Sequence, residues 1–169
     1  MNLGCNTVET YIPWNFHEPN RGQFIWEGMR DICRFIETAQ ELGLYIIIRP
    51  SPYICSEWEF GGLPAWLLRD RNMRLRCSYE PYLNAVKNYY SELIPKLVPY
   101  QIDRGGNIIL MQIENEYGYY GNDKAYLEFL RDTMRELGIT VPFVTSDGPW
   151  SEPIYKSGMV DGGLACLLY

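Results

Sequence analysis

Two glutamates separated by one asparagine close an apolar stretch in the middle of the chain. Residues 107–118 read NIILMQIENEYG, so that Glu114 and Glu116 follow a run of mostly apolar side chains. Hydrolysis of a glycosidic bond uses two carboxyl groups, because one protonates the departing oxygen while the other attacks the sugar carbon or activates water. The pair therefore suggests glycoside hydrolysis at the end of a buried strand.

The spacing of the two acids leaves their individual roles open. If the strand continues through residue 116, alternation sends both glutamate side chains to the same side, roughly 7 Å apart. The same residues also fit a structural role, in which one glutamate pairs with Arg49 and the other is solvated. Spacing alone does not select the catalytic residue.

Predicted strands and helices alternate along the chain. Apolar runs predict strands within 5–14, 44–49, 107–113 and 141–146, with a possible fifth strand in GLACLLY at 163–169. Helical spacing of apolar residues predicts helices over about 28–42, 78–97 and from 122 or 123 to 137. The run LYIIIR is too continuously apolar for a strand with one wet face, which favours a parallel strand covered on both sides. Such alternation builds parallel βαβ units.

Polar residues collect where the predicted strands end, which favours a barrel over an open sheet. They are Asn15, His17, Glu18, Arg49, Glu114, Asn115, Glu116, Ser146 and Asp147. In a barrel these ends meet at one face, where active sites are built. An open flavodoxin-like sheet would need a phosphate-binding loop, and no Gly-rich turn follows any strand.

We therefore predict an α/β fold of the (β/α)8 TIM-barrel type, with only part of the barrel present. A complete barrel takes about 250 residues and eight strands, whereas this chain has 169 residues and supplies about four to five βα units. Residues 1–169 are then expected to form a partial catalytic domain of a longer glycosidase.

Composition excludes several classes of partner. The chain is 47% hydrophobic and 15% aromatic, which is typical of a globular core. Its formal charge is −6, with scattered Lys and Arg, so we expect no nucleic-acid partner. No apolar run approaches the roughly 20 residues that cross a bilayer, and the first ten residues lack a basic region followed by an apolar one. We expect neither a membrane span nor a signal peptide.

The cysteine and histidine content argues against a metal or cofactor site. Five cysteines lie far apart, without the close pairs of a zinc site or a disulfide-stapled domain, and free thiols suggest a reducing, cytoplasmic compartment. His17 is the single histidine, so this chain by itself cannot supply a multi-histidine metal site, and we expect His17 to be structural. No cofactor and no metal are predicted.

Three stretches resemble the motifs of glycoside hydrolase family 35, the β-galactosidase family. GGNIILMQIENEYG (105–118) is similar to the family pattern of two glycines, an apolar stretch, Gln, and Glu-Asn-Glu before an aromatic residue. TYIPWNFHEP (10–19) and RPSPYICSEWEFGGLPAWLL (49–68) resemble the family's two other barrel motifs, in the expected order. The similarity runs from about Gly4 to at least Pro149.

The resemblance implies catalytic roles for the central motif. Glu116 matches the general acid/base, and Asn115 matches the amide that binds the sugar hydroxyl next to the reacting carbon, which leaves Glu114 in a supporting role. The family's nucleophile is a second glutamate on a later strand, and nothing between residues 117 and 169 matches it. This chain is therefore expected to carry half of an active site and to show no turnover alone.

The resemblance also implies a substrate. Tyr11 and Glu57 match positions that contact galactose hydroxyls, and Ser56, which stands where the family usually has Ala, could contribute through its backbone. The expected partner is a galactoside or oligosaccharide, hydrolysed with retention of configuration. Two alternatives remain: an inactive carbohydrate-binding relative that keeps Tyr11, Glu57 and Asn115, or an exo-glycosidase for another β-linked sugar.

Overall fold

Five parallel strands form one sheet in the order in which they occur along the chain. The computed structural model describes residues 4–55, 57–148 and 158–167. The strands are β1 (Thr7–Tyr11), β2 (Tyr45–Arg49), β3 (Ile108–Gln112), β4 (Phe143–Asp147) and β5 (Gly163–Leu167). Each strand pairs with the next, without the reversal of order that marks a doubly wound sheet. The fold is that of a partial TIM barrel, as predicted, and the open flavodoxin-like alternative is wrong.

Three helices lie close to the predicted positions, and two short ones, at Trp14–His17 and Tyr117–Tyr120, were not predicted. In chain order they are α1 (Trp14–His17), α2 (Ile32–Glu41), α3 (Glu80–Leu97), α4 (Tyr117–Tyr120) and α5 (Lys124–Glu136). The Asp31 side chain caps α2 by accepting from the Arg34 N–H at 2.9 Å, so this helix starts four residues later than predicted. Asp123 caps α5 by accepting from the Tyr126 N–H at 3.1 Å, and it fulfils the prediction that residue 122 or 123 would do so.

One face of the sheet is buried under helices, whereas on the other face of β2 Tyr45 is exposed and Ile47 is only partly buried. Ile46 and Ile48 on β2 are fully buried, and α3 covers the sheet with the buried rings of Tyr82, Tyr89 and Tyr90. In the connection from residue 50 to residue 79, the described residues form no α-helix or strand and contribute short 3-10 turns at Glu59–Gly62 and Ala65–Arg69. None of the helices in the described ranges is both long and apolar enough to span a bilayer.

Strand register brings the predicted site to one end of the sheet. Tyr11, the last residue of β1, lies opposite Arg49, the last residue of β2. Ile48 lies opposite Met111, so β3 ends at the same level as its neighbour. Because the strands are parallel, the chain segments that follow them all leave at this end, and side chains far apart in sequence meet there.

Candidate active site

A cavity of about 390 Å³ opens where β1, β2 and β3 end. Its lining residues are Tyr11, Arg49, Tyr53, Cys55, Glu57, Arg76, Asn115, Glu116, Tyr119 and Tyr120. Four of the five predicted site residues are therefore together, namely Tyr11, Glu57, Asn115 and Glu116. The fifth, Ser56, lies outside the described residues. The wall carries both charged and aromatic groups, which is the usual composition of a ligand pocket with a few convergent polar contacts.

The two acids of the central motif do not lie on an extended strand. β3 ends at Gln112, and both Glu114 (φ +57°) and Glu116 (φ +47°) have left-handed backbone conformations. Non-glycine residues in this region cost about 1–3 kcal/mol each and cluster at functional sites. The prediction that strand alternation carries both side chains to one side is wrong, because two left-handed residues break the alternation immediately after the strand.

Protein groups occupy the whole carboxylate of Glu114. Its Oε1 accepts from the Arg76 Nε (3.0 Å) and the Tyr126 hydroxyl (2.8 Å), while Oε2 accepts from a second Arg76 nitrogen (2.8 Å) and the Asn115 N–H (2.7 Å). The Glu114 side chain is 1% exposed. An ionised carboxylate offers about four acceptor positions, so Glu114 has none left for a substrate. Its ion-pair partner is Arg76, and the suggested pairing with Arg49 is wrong.

Glu116, in contrast, turns toward the cavity. Its backbone N–H donates to the Ser146 carbonyl at 2.8 Å, which ties the segment to the end of β4. Within the described part of the chain, no hydrogen bond engages the Glu116 carboxylate. The hydrogen bonds thus distinguish the roles of the two acids, which sequence spacing could not do. The Glu114 carboxylate is fully hydrogen-bonded within the protein, and the Glu116 carboxylate is available to a ligand.

A third carboxyl group lies at the end of β4. Asp147 is 3% exposed and accepts from the Gly118 N–H at 2.9 Å, so it anchors the start of α4 directly after Glu116. Burial raises the pKa of Asp147, and the negative charges of Glu116 and Glu114 raise it further, against the effect of the Gly118 hydrogen bond.

Arg49 orients two other residues that line the cavity, Asn115 and Tyr11. One guanidinium nitrogen donates to the Asn115 side-chain oxygen and another to the Tyr11 hydroxyl at 2.7 Å. The guanidinium also lies 4.4 Å from the centre of the Tyr11 ring and forms an ion pair with Glu9 at 3.6 Å. Because Arg49 holds the Asn115 oxygen, the amide nitrogen is the part of Asn115 that can donate to a ligand. Arg49 thus orients the Asn115 amide and the Tyr11 phenol, and not the carboxylates of the central motif.

His17 contacts protein groups, as its expected structural role requires. The His17 Nδ1 lies 3.1 Å from the Ile25 carbonyl oxygen and its ring stacks on Trp26, while burial lowers the pKa of His17, which makes it structural. Tyr119 and Tyr120 are about half exposed at the rim of the cavity. Cys5, Cys33, Cys55 and Cys77 are free thiols in the described ranges. No cluster of three potential metal ligands occurs among these same residues.

Arg76 is the residue of the site that sequence analysis missed. It lies in the segment RLRCSYEP, which has neither a regular period nor a recognisable motif. Its guanidinium is nevertheless buried between the Tyr53 ring, at 3.7 Å, and the Tyr120 ring, at 4.1 Å. The only available signal was the buried acid itself, since a carboxylate at a strand end needs a cationic partner from somewhere in the fold.

The parallel strands form part of a barrel, and acidic side chains lie around a cavity at the C-terminal ends of these strands. Barrel glycosidases have this class of site. The family model "Glycosyl hydrolases family 35" matches residues 1–164. The chain belongs to this family, as its three motifs indicated.

Known proteins agree with the family and the fold. The chain is 46% identical to human "Beta-galactosidase-1-like protein 2" over 97% of its own length and 25% of that protein. It is 49% identical to mouse "Beta-galactosidase" over 92% of its own length and 24% of that protein. It therefore spans about a quarter of the length of the curated relatives it matches. The crystal structure of GH5_18 from Streptomyces cattleya in complex with GlcNAc superposes with a TM-score of 0.67 at 19% identity, covering 86% of this chain and 36% of that one.

Proposed function

We propose that this chain forms part of the catalytic barrel of a retaining β-galactosidase that acts on terminal β-linked galactose. The β-galactosidases among its relatives support the substrate class. Residues 1–169 would supply about five of the eight βα units. The nucleophile would come from a later strand of the longer protein, so residues 1–169 would not turn over substrate alone.

In the proposed mechanism, Glu116 serves as general acid and then as general base. As an acid it protonates the glycosidic oxygen while the nucleophile attacks the sugar carbon. It then removes a proton from the water that hydrolyses the glycosyl-enzyme. Retaining enzymes hold the two carboxyl groups about 5–5.5 Å apart, which leaves no room for a water between the nucleophile and the sugar. The open carboxylate of Glu116, beside the fully occupied carboxylate of Glu114, is the observation that carries this assignment.

Recognition of galactose is assigned to the groups that share the cavity with Glu116. The Asn115 amide, oriented by Arg49, would donate to the hydroxyl next to the reacting carbon. Tyr11 and Glu57 would bind further hydroxyls, and the resemblance implies a contribution from the Ser56 backbone. Neutral and charged groups in one pocket suit a polyhydroxyl ligand, since each hydroxyl can donate and accept. No cofactor is required by this chemistry.

A panel of aryl glycosides tests the proposed specificity. With the full-length protein, we expect kcat/KM for 4-nitrophenyl β-D-galactoside to exceed that for the β-glucoside, β-mannoside and α-galactoside by more than about 100-fold, because a site built to bind a hydroxyl discriminates strongly against a misplaced one. Proton NMR of the first product should show β-galactose before mutarotation.

Three results would contradict the proposal in different ways. Preference for another β-glycoside would keep the reaction and change the sugar. Initial formation of the α-anomer would replace retention with inversion. Binding of galactose, measured by calorimetry, without hydrolysis of any galactoside would identify an inactive carbohydrate-binding relative.

A further inference from the structure

We propose that Arg76 is a positioning residue that holds Glu116 in its cavity-facing conformation. The inference rests on the proposed acid/base role of Glu116. Arg76 belongs to the connection between β2 and α3, whereas Glu116 follows β3, so the contact joins two separate βα loops. Its effect on catalysis would be exerted through the Asn115 peptide.

Hydrogen bonds hold both peptide groups that flank the Asn115 Cα. Arg76 donates to the Asn115 carbonyl at 2.8 Å, and the Asn115 N–H donates to the Glu114 carboxylate at 2.7 Å. Arg76 also binds that same carboxylate through two nitrogens, so Arg76, Glu114 and the Asn115 backbone form one closed set of hydrogen bonds. The next backbone donor, the Glu116 N–H, binds Ser146 at 2.8 Å. Rotation of the Asn115–Glu116 peptide would break two contacts at once, that of the Asn115 carbonyl with Arg76 and that of the Glu116 N–H with Ser146.

The backbone conformations of these residues show why the hydrogen bonds between them are needed. Glu114, Glu116 and Arg76 all have positive φ, at +57°, +47° and +52°, although none is glycine. Such conformations persist only where the surroundings fix them. The Tyr117 hydroxyl donates to the Arg76 carbonyl at 2.9 Å, so the residue that follows Glu116 in turn holds the backbone of Arg76. The two loops therefore stabilise each other's unfavourable conformations.

The arrangement requires the geometry of arginine as well as its charge. The Arg76 side chain is 7% exposed, and its planar group lies between the rings of Tyr53 and Tyr120. The fixed fork of a guanidinium can direct parallel donors to one carboxylate and a further donor to a nearby carbonyl. A lysine ammonium keeps the charge but lacks this planar fork. Lysine at position 76 should keep the ion pair with Glu114 and lose the hydrogen bond to the Asn115 carbonyl.

A double-mutant cycle in the full-length protein tests this role. We expect Arg76→Lys to lower kcat/KM at least tenfold for a galactoside with a poor leaving group, and far less for 2,4-dinitrophenyl galactoside, because only the former needs a correctly placed acid. In a Glu116→Ala background, Arg76→Lys should have almost no further effect, since residues that act as one unit are not additive.

Arg135→Lys provides the matched control. Arg135 donates to two backbone carbonyls, those of Ile139 and Val141, and stacks on the Phe143 ring at 4.2 Å, but it does not line the cavity. We expect its replacement to leave the leaving-group dependence unchanged. Both single variants are to be melted beside the wild type, so that a change in stability is separated from a change in selectivity.

Each outcome bears on a different claim. Equal losses on poor and activated leaving groups, or a full additional loss in the Glu116→Ala background, would overturn the positioning role of Arg76. If Arg76→Lys fails to fold, 10–100 mM guanidinium added to Arg76→Ala should restore activity toward the poor leaving group, and absence of rescue would overturn the proposal. A wild-type protein that hydrolyses no glycoside would instead refute the proposed function.

Discussion

Replacement of Glu116 by glutamine should lower kcat/KM of the full-length protein for a galactoside with a sugar or alkyl leaving group by about 10²- to 10⁴-fold, the usual contribution of a positioned general acid. The amide keeps the size of the side chain, but its N–H groups are too weakly acidic to protonate the leaving group. 2,4-Dinitrophenol leaves without protonation, so the first step with its galactoside should slow far less. Steady-state kinetics with a series of leaving groups measures the difference.

Glu59→Gln is the control for this experiment. Glu59 is an exposed acid in the loop that also carries Glu57, and its side chain does not line the cavity. We expect its replacement to change kcat/KM less than twofold for every leaving group. A loss in Glu116→Gln that is the same for poor and activated leaving groups would show that Glu116 is not the proton donor.

Replacement of Glu114 by alanine should destabilise the protein by about 3–5 kcal/mol, because removal of one partner leaves the other buried charge uncompensated. The charge left behind is that of Arg76, whose side chain is 7% exposed. The Tyr126 hydroxyl and the Asn115 N–H would also lose their acceptor. Denaturant unfolding followed by tryptophan fluorescence would report the change in the free energy of unfolding.

Glu41→Ala is the matched control, since Glu41 also pairs with an arginine. Its contact with Arg34, at 3.5 Å, lies on the surface of α2 with both side chains more than 60% exposed. Exposed pairs contribute about 0–1 kcal/mol. If the two alanine variants lose similar amounts of stability, the Glu114–Arg76 pair does not have the structural importance assigned to it.

Periodicity was sufficient to predict the barrel elements. Strands such as YIIIR are continuously apolar, whereas helices such as α5 carry one apolar stripe, so their patterns differ along the sequence. The cap at Asp123 could be anticipated from residue type, whereas the predicted start of α2 at about residue 28 was wrong, because Asp31 caps the helix and it begins at Ile32. The ends of the strands were less predictable, since the turn after β3 depends on contacts that the local sequence does not contain.

Tertiary contacts account for what the sequence could not supply. The partner of Glu114 is 38 residues away in an irregular connection, and the positive φ values of Glu114 and Glu116 are stabilised by that partner and by the end of β4. No local pattern encodes either feature. The family motifs nevertheless selected four residues that the fold brings to one cavity, because a motif preserves the outcome of such contacts without describing them.

Azide rescue of Glu116→Ala tests the proton-transfer role of Glu116 most directly. Once the side chain is shortened, azide can enter its space and attack the glycosyl-enzyme without a general base, displacing the enzyme carboxylate from the sugar carbon. With 2,4-dinitrophenyl β-galactoside as substrate, the full-length variant should turn over faster in azide and release β-galactosyl azide. Formation of the α-azide would instead identify Glu116 as the nucleophile. If azide gives no acceleration and no azide product forms, the proposed role of Glu116 in the reaction is contradicted.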